Sequence, residues 1–356
     1  MTLKLATAGE SHGPALVAIL SGLPAGLVLD RDAIDADLRR RQEGYGRSPR
    51  QQIEHDEVRV LAGLRHGRTL GSPVAFVIEN RDHKNWEWGM SPWPPEGEAT
   101  GKGAKPVTLP RPGHADLPGA MKYGLADVRD AFERASARHT ALTVAAGSIA
   151  KAMLAEIDVG VVGTVLSVGD VDDAKADRDT VGGIIEVRGR GVPPGLGSYA
   201  TKDERLDARL AAALMGIQAV KGVEIGDGFA LAARRGSAAH DEILRDERGL
   251  YRETNRAGGI EGGVSNGEEI VVRAAMKPLP TLMRPLRSVD LETGEPAEAL
   301  VERSDVAAVE ALSVVAEASV AFELARAARE KFGGDSLADF LGAHRTYLER
   351  IDWQRR

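Results

Sequence analysis

The sequence predicts an α/β fold, a mixed β-α-β sandwich with long buried helices between largely antiparallel sheets. Three observations carry that expectation. Segments 125–157 and 306–330 read as long helices with small or apolar residues on nearly every face, the second through Val306, Val309, Leu312, Val315 and Val320 among many alanines. A helix that is apolar all round is buried on more than one side, so each needs a layer on either flank. Strand-like runs fall before and between these helices without regular β-α alternation or a fixed-period repeat, which disfavours a doubly wound sheet. Aromatic residues make up only 4% of the chain while Gly, Ala and Val abound, so layers can approach closely. No linker divides the chain cleanly, and residues 1–356 are taken as one domain.

Taken in order, residues 2–7 and 15–20 read as strands, and a helix follows from about Asp32 to Gln42. Strands recur near 57–62 and 73–79. Residues 81–113 carry Trp86, Trp88 and Trp93 with a dense set of Pro and Gly. They read as a long irregular loop, a kind of segment that is usually functional or disordered. After the first long helix come strand-like segments at 159–168, 183–188, 221–225 and 269–275, with a helix near 203–217 among them.

Composition narrows the function. With 43% hydrophobic residues the chain can bury a substantial core. There is no cysteine, which removes disulfides, thiolate metal ligands and thiol nucleophiles and agrees with a cytoplasmic setting. The N-terminus lacks the apolar core of a signal peptide, and no apolar run reaches the length of a bilayer span. A soluble intracellular protein with no membrane partner is expected. The net charge of −7 argues against a nucleic-acid partner. Against that acidic background Arg39, Arg40, Arg41, Arg47 and Arg50 crowd together. The cluster fits a small anion such as phosphate, or a solvated helix end whose arginines offset the C-terminal dipole.

Two histidines stand apart. His12 lies in Gly9-Glu10-Ser11-His12-Gly13 and His114 in Arg111-Pro112-Gly113-His114-Ala115-Asp116. A glycine-flanked imidazole can be approached closely by a ligand and titrates near neutrality, which suggests acid/base chemistry. The first motif also matches the G-x-S-x-G nucleophile elbow, with Ser11 as nucleophile. That elbow needs an oxyanion loop from an earlier strand, and only eight residues precede it here. His55, His66, His240 and His344 sit in charged or loop surroundings and read as surface residues. No metal is expected, since no H-E-x-x-H or clustered histidine pair occurs.

Arg134 and Arg138 are four apart, hence on one face if the helix continues through them. They read as a phosphate or carboxylate clamp, or as buried ion pairs to acids such as Glu133 or Asp130. The loop Gly258–Gly267 is dense enough in glycine for its backbone N–H groups to face a ligand, or it is a flexible hairpin connection. It leads through a strand to Lys277-Pro278-Leu279-Pro280-Thr281. Arg303-Ser304-Asp305 opens the second long helix, with Asp305 a candidate helix cap.

In this order the segments resemble the chorismate synthase family over nearly the whole chain. Gly9 to Pro24, Glu133 to Ile149 and Arg303 to Ala318 are similar to that family's three signatures. Arg111 to Asp116, Lys221 to Gly226 and Gly258 to Gly267 also follow its pattern. Ser304-Asp305-Val306 departs from the His-Asp-Pro common there, keeping the acid. The resemblance implies an anti 1,4-elimination of phosphate from 5-enolpyruvylshikimate 3-phosphate, a shikimate-pathway step toward aromatic amino acids. Reduced FMN is implied as cofactor: it lends an electron, promotes departure of phosphate, and recovers the electron as hydrogen leaves. It further implies His12 as proton donor to phosphate, His114 beside the flavin, and Asp305 as a proton relay near flavin N5. Arg134, Ala135, Ser136, Gln218, Ala219, Gly262, Lys277, Pro278, Leu279, Pro280, Thr281 and Arg303 match FMN-contacting positions. Arg41 and Arg47 match positions assigned to NADP, with Arg47 an alternative substrate ligand. Arg111 and Arg138 are assigned to substrate. A homotetramer is implied too, and an external flavin reductase is expected because no added reductase domain is visible; NADPH would supply the reducing equivalents. Two other classes stand beside this lyase, a serine hydrolase using Ser11 and a non-catalytic flavin carrier.

Overall fold

The computed structural model describes residues 2–47, 54–247, 249–302 and 304–355. The first sheet comes from the N-terminal residues: β1 (Lys4–Ala8), β2 (Ala15–Ser21), α1 (Arg31–Gln42), β3 (Arg59–Ala62), the small hairpin β4 (Leu64–Arg65) and β5 (Arg68–Thr69), then β6 (Val74–Glu79). Its strand order is β1-β2-β6-β3, antiparallel throughout. Alternation decides which face packs: Leu16, Ala18 and Leu20 of β2 are buried while Val17 and Ile19 are exposed. Asp30 caps α1, accepting from Asp32 N. The last turn of α1 divides the arginine cluster: Arg39 is exposed, Arg40 pairs with Glu317, and Arg41 is buried. Arg50 lies outside the described residues.

The loop after β6 begins with a 3-10 turn at Arg81–Asn85 and is otherwise irregular up to α2 (Asp116–Tyr123). The sequence expectation of one helix over 125–157 needs correction. The chain forms α3 (Arg129–Ala135), breaks at Ser136, makes a 3-10 turn at Ala137–His139 and resumes as α4 (Thr140–Ala155). Ser136 is extended at ψ 145° and its hydroxyl accepts from Arg138 N, a local bond that competes with the helix ladder. Arg134 and Arg138 therefore do not share a helix face.

The second half supplies β7 (Gly160–Val168), α5 (Val171–Ala176), β8 (Gly183–Arg190), α6 (Leu206–Met215) and β9 (Val220–Ile225). After α7 (Gly236–Ala239) come two small hairpins, β10 (Ile243–Asp246) with β11 (Gly249–Arg252) and β12 (Ile260–Glu261) with β13 (Val264–Ser265). Then follow β14 (Ile270–Met276), the hairpin β15 (Arg287–Val289) with β16 (Pro296–Glu298), α8 (Val309–Phe332) and α9 (Leu337–Arg355). The second sheet runs β7-β8-β14-β9, again antiparallel. Helix α4 packs on β2 and β6 and against α8, which in turn packs on β7 and β8. Both long helices thus lie between two antiparallel sheets, as the all-round apolar pattern requires. One continuous apolar core runs through all four layers. No helix among the described residues is long and apolar enough to cross a membrane.

Candidate active site

His12 sits in the loop of the β1–β2 hairpin, not on the strand–turn–helix elbow a serine hydrolase needs. Gly9 turns that loop at φ +116°, where a side chain would meet Ala15 O at 2.7 Å and Leu16 Cα at 2.9 Å. Asn80, just past β6, donates to Glu10 O at 3.1 Å and Gly13 O at 2.8 Å and so pins the loop. The His12 ring stacks on buried Trp86, centroids 4.0 Å apart and planes at 22°. Its Nδ1 meets Glu133 Oε1 at 2.7 Å, and its backbone N–H donates to Glu133 Oε2 at 2.8 Å. Ser11 is buried and accepts from the Ser136 hydroxyl at 3.2 Å, while the neighbouring imidazole is turned to Glu133. That arrangement offers Ser11 no base from His12, and the hydrolase reading fails.

His114 is built the same way from another segment. Its Nδ1 bonds Asp116 Oδ1, and Asp116 also takes Arg111 Nε at 2.8 Å and an Arg111 Nη at 3.0 Å. Asp116 is fully buried in the first turn of α2. Burial alone pushes its carboxyl up, but hydrogen bonds from His114 and Arg111 and their charges outweigh that and hold it well below the usual range. Arg111 continues to Thr281 Oγ1 at 3.0 Å and Glu302 at 3.2 Å, and lies 4.6 Å over the Phe132 ring. Lys277 donates to Gly113 O at 2.9 Å, and burial, then Lys221, lowers its amine.

Two further arginines share one buried acid. Asp56 takes Arg138 at 2.7 Å and Arg41 at 3.1 Å. Burial pushes Arg41 down to about 10 against the pull of Asp56, with Arg138 and Arg47 lowering it further, so it stays cationic at neutral pH. Arg41 also donates to Thr140 Oγ1 and Ala137 O, and Arg138 to Asn80 Oδ1. Arg47 pairs with Asp305 at 2.9 Å. Asp305 is therefore not the cap of α8, which starts at Val309 after Ala308.

These groups meet in one cavity of about 460 Å³, a size typical of small-ligand sites. His12, His114, Arg41, Arg47, Arg111, Arg138, Lys277 and Asp305 all line it, with Ala135, Ser136, Gln218, Ala219, Leu279, Pro280 and Thr281. An apolar wall comes from Ile217, Met276, Leu312 and Val315. Two of the lining residues carry a buried polar atom with no hydrogen-bond partner, Gln218 Oε1 and Arg47 Nε. A cationic wall, an apolar wall and an unmatched amide acceptor fit a flat heteroaromatic ring carrying phosphate.

The sequence model of the chorismate synthase family matches residues 3–174 and 169–328. The chain belongs to the chorismate synthase family. It is 53% identical to the chorismate synthase of Desulforudis audaxviator over 98% of both chains. Against that of Symbiobacterium thermophilum it is 52% identical, over 98% of this chain and 99% of the other. A solved structure titled "Crystal Structure of Chorismate Synthase" superposes with a TM-score of 0.79 at 36% identity, covering 99% of each chain. The reaction is the anti 1,4-elimination of phosphate from 5-enolpyruvylshikimate 3-phosphate to give chorismate, a carbon–oxygen lyase step of the shikimate pathway that depends on a flavin.

Not every position carried over from the chorismate synthase family reaches the cavity. Arg134 turns away: its guanidinium donates to Thr7 O and Oγ1 and to Gly9 O, tying α3 to the end of β1. Gly262 is the exposed turn of the β12–β13 hairpin, with nothing within 4 Å of where a Cβ would stand. The hairpin alternative for Gly258–Gly267 is the one adopted, and Gly258 and Gly259 pack against Gly226 and the Glu269 carbonyl. Pro278 spaces Lys277 from Leu279 without lining the cavity. Arg303 lies outside the described residues. Sequence reasoning missed Trp86, Asn80, Asp56 and Asp116 as support for the site. Asp116 had a legible signal, two residues after His114; the others meet their partners only through the fold.

Proposed function

We propose that this cavity binds reduced FMN together with the phosphorylated substrate, with His12 as proton donor to the departing phosphate. The observation that carries the reading is that both glycine-flanked histidines, each tied through Nδ1 to a buried carboxylate, open on the same arginine-lined space. The phosphate and two carboxylates of the substrate need concentrated positive charge in a site shielded from water. Arg47, Arg111 and Arg138 supply it. Arg41 is fully engaged by Thr140, Asp56 and Ala137, so it acts as scaffold to Arg138. Arg47 lines the same cavity as Arg111 and Arg138, which supports a substrate anion as its ligand.

Ala135, Ser136, Gln218, Ala219, Lys277, Leu279, Pro280 and Thr281 would hold the flavin, against the apolar wall. Bound there, reduced FMN would supply the one-electron chemistry that loss of phosphate and hydrogen calls for. His12 delivers a proton to the leaving oxygen, His114 would stand beside the flavin as a hydrogen-bonding partner, and Asp305 accepts a proton while Arg47 orients it. Reduced flavin comes from an external reductase using NADPH or another donor, in the cytoplasm.

Anaerobic phosphate release from 5-enolpyruvylshikimate 3-phosphate tests this. The wild-type chain with reduced FMN should turn over, oxidised FMN should not, and His12→Ala should lose about 10²-fold or more in kcat. Equal turnover with oxidised flavin, or an undiminished His12→Ala enzyme, overturns the assignment. A flavin carrier would bind FMN and release no phosphate.

A further inference from the structure

We propose that Glu133 is the positioning carboxylate of His12, fixing its imidazole with a proton on Nδ1 so that any proton on Nε2 belongs to the cationic ring. The inference rests on His12 as proton donor and names the residue that makes it one. The sequence offers Glu133 to a neighbouring arginine. The structure does not: Arg134 is held by Thr7 and Gly9, and Arg138 by Asp56 and Asn80. Both Glu133 oxygens go to His12 instead, one to the ring and one to its backbone N–H, and the Glu133 carbonyl accepts from Ser11 N at 3.0 Å. The carboxylate is almost wholly buried, 2% exposed, where an unpaired charge would be costly.

The chemistry follows from what each group can do. A carboxylate only accepts, so Nδ1 must carry a hydrogen in both protonation states of the ring. The cationic ring then has an acidic N–H at Nε2, suited to a leaving phosphate oxygen. The neutral ring has a lone pair there and cannot donate. Delivery of the proton thus empties Nε2 completely and leaves it able to take a proton back. A neutral ring protonated at Nε2 would hydrogen-bond phosphate yet scarcely acidify it, and Glu133 excludes that tautomer. Trp86 guards the same choice by geometry. Its stacked ring, anchored through Nε1 to Asp82 at 3.2 Å and covered by Arg129 at 5.1 Å, resists the flip that would exchange the two nitrogens.

Glu133→Gln is the informative variant. The amide keeps size and one acceptor but can donate to Nδ1, permitting the Nε2–H tautomer. Solid-state 15N spectra of histidine-labelled protein at alkaline pH, with His12 assigned by its loss in His12→Asn, read the tautomer directly. Wild type should show Nδ1–H and Glu133→Gln a shift to Nε2–H. With the same substrate and reduced FMN, kcat should fall about 10²-fold while KM changes less than about threefold. Glu133→Asp, which retains the charge, should keep Nδ1–H and recover most of the rate. A wild-type ring protonated at Nε2 overturns the inference without any variant, so it does not depend on Glu133→Gln folding. So does Glu133→Gln that changes tautomer without losing kcat, or that keeps Nδ1–H. An active His12→Asn enzyme would instead sink the proton-donor reading itself.

Discussion

Asp116 couples the chemistry of the site to the stability of the chain. It is the counter-charge of Arg111, whose guanidinium is buried between Phe132 and the carboxylate, and the orienting partner of His114. Asp116→Ala leaves that cation with Glu302 as its remaining acidic partner among the described residues, and should cost about 3 kcal/mol at pH 7, the scale for breaking a buried pair. The sign of its pH dependence follows from its depressed carboxyl. The folded state binds the proton less tightly than the unfolded chain, whose Asp titrates near about 3.9. The contribution is therefore fully present above that value and is lost as pH falls through the folded one. Urea midpoints of wild type and Asp116→Ala should differ at pH 5, and the gap should narrow below about pH 4. A gap that instead widens below about pH 4 would contradict this account.

At the scale of elements, the site depends on how closely α4 and α8 cross. A Cβ at Gly147 of α4 would collide with the Ala318 side chain and stand 2.5 Å from Ala318 Cα and 2.6 Å from its carbonyl oxygen. Glycine costs about 1 kcal/mol of helix propensity there, and the close approach offsets it. Gly147→Ala should destabilise by about 1–3 kcal/mol, read as a lower denaturant midpoint. Adding Ala318→Gly should not restore it, because the clashing backbone atoms remain; full rescue would show the crossing to be looser than described. The break at Ser136 acts at the same scale. It turns the chain between α3, which carries Glu133, and the turn that carries Arg138, so both reach one cavity from a stretch the sequence presents as continuous helix.

At the scale of the whole molecule, apolar side chains remain exposed on both sheets. Val162, Leu166 and Val168 of β7 and Ile184 of β8 are 41–56% exposed, and Val17 and Ile19 of β2 are open on the first sheet. Exposed apolar side chains on a sheet surface are candidates for protein contacts. A homotetramer, which the resemblance implies, would have these residues to cover. Sedimentation of Val162→Asp/Leu166→Asp should show dissociation to smaller species, whereas an unchanged sedimentation coefficient would place the interface elsewhere.

Periodicity and composition made the layers legible, because burial on all faces leaves a direct trace in a helix: the stretches around α4 and α8 could only be interior. The Gly-flanked histidines and the signatures around Ser136 and Asp305 made the chemistry legible through resemblance. Pairings across the fold were not, since a hydrogen bond between Glu133 and His12 or between Asp56 and both Arg41 and Arg138 leaves no mark in local sequence. Nor could periodicity find the Ser136 break, where one hydroxyl bond outweighs good helix formers on either side. The sequence by itself determined which elements are buried and which residue types reach the site. Only the tertiary structure decided which charge partners which, because electrostatic pairing depends on distance in space rather than along the chain.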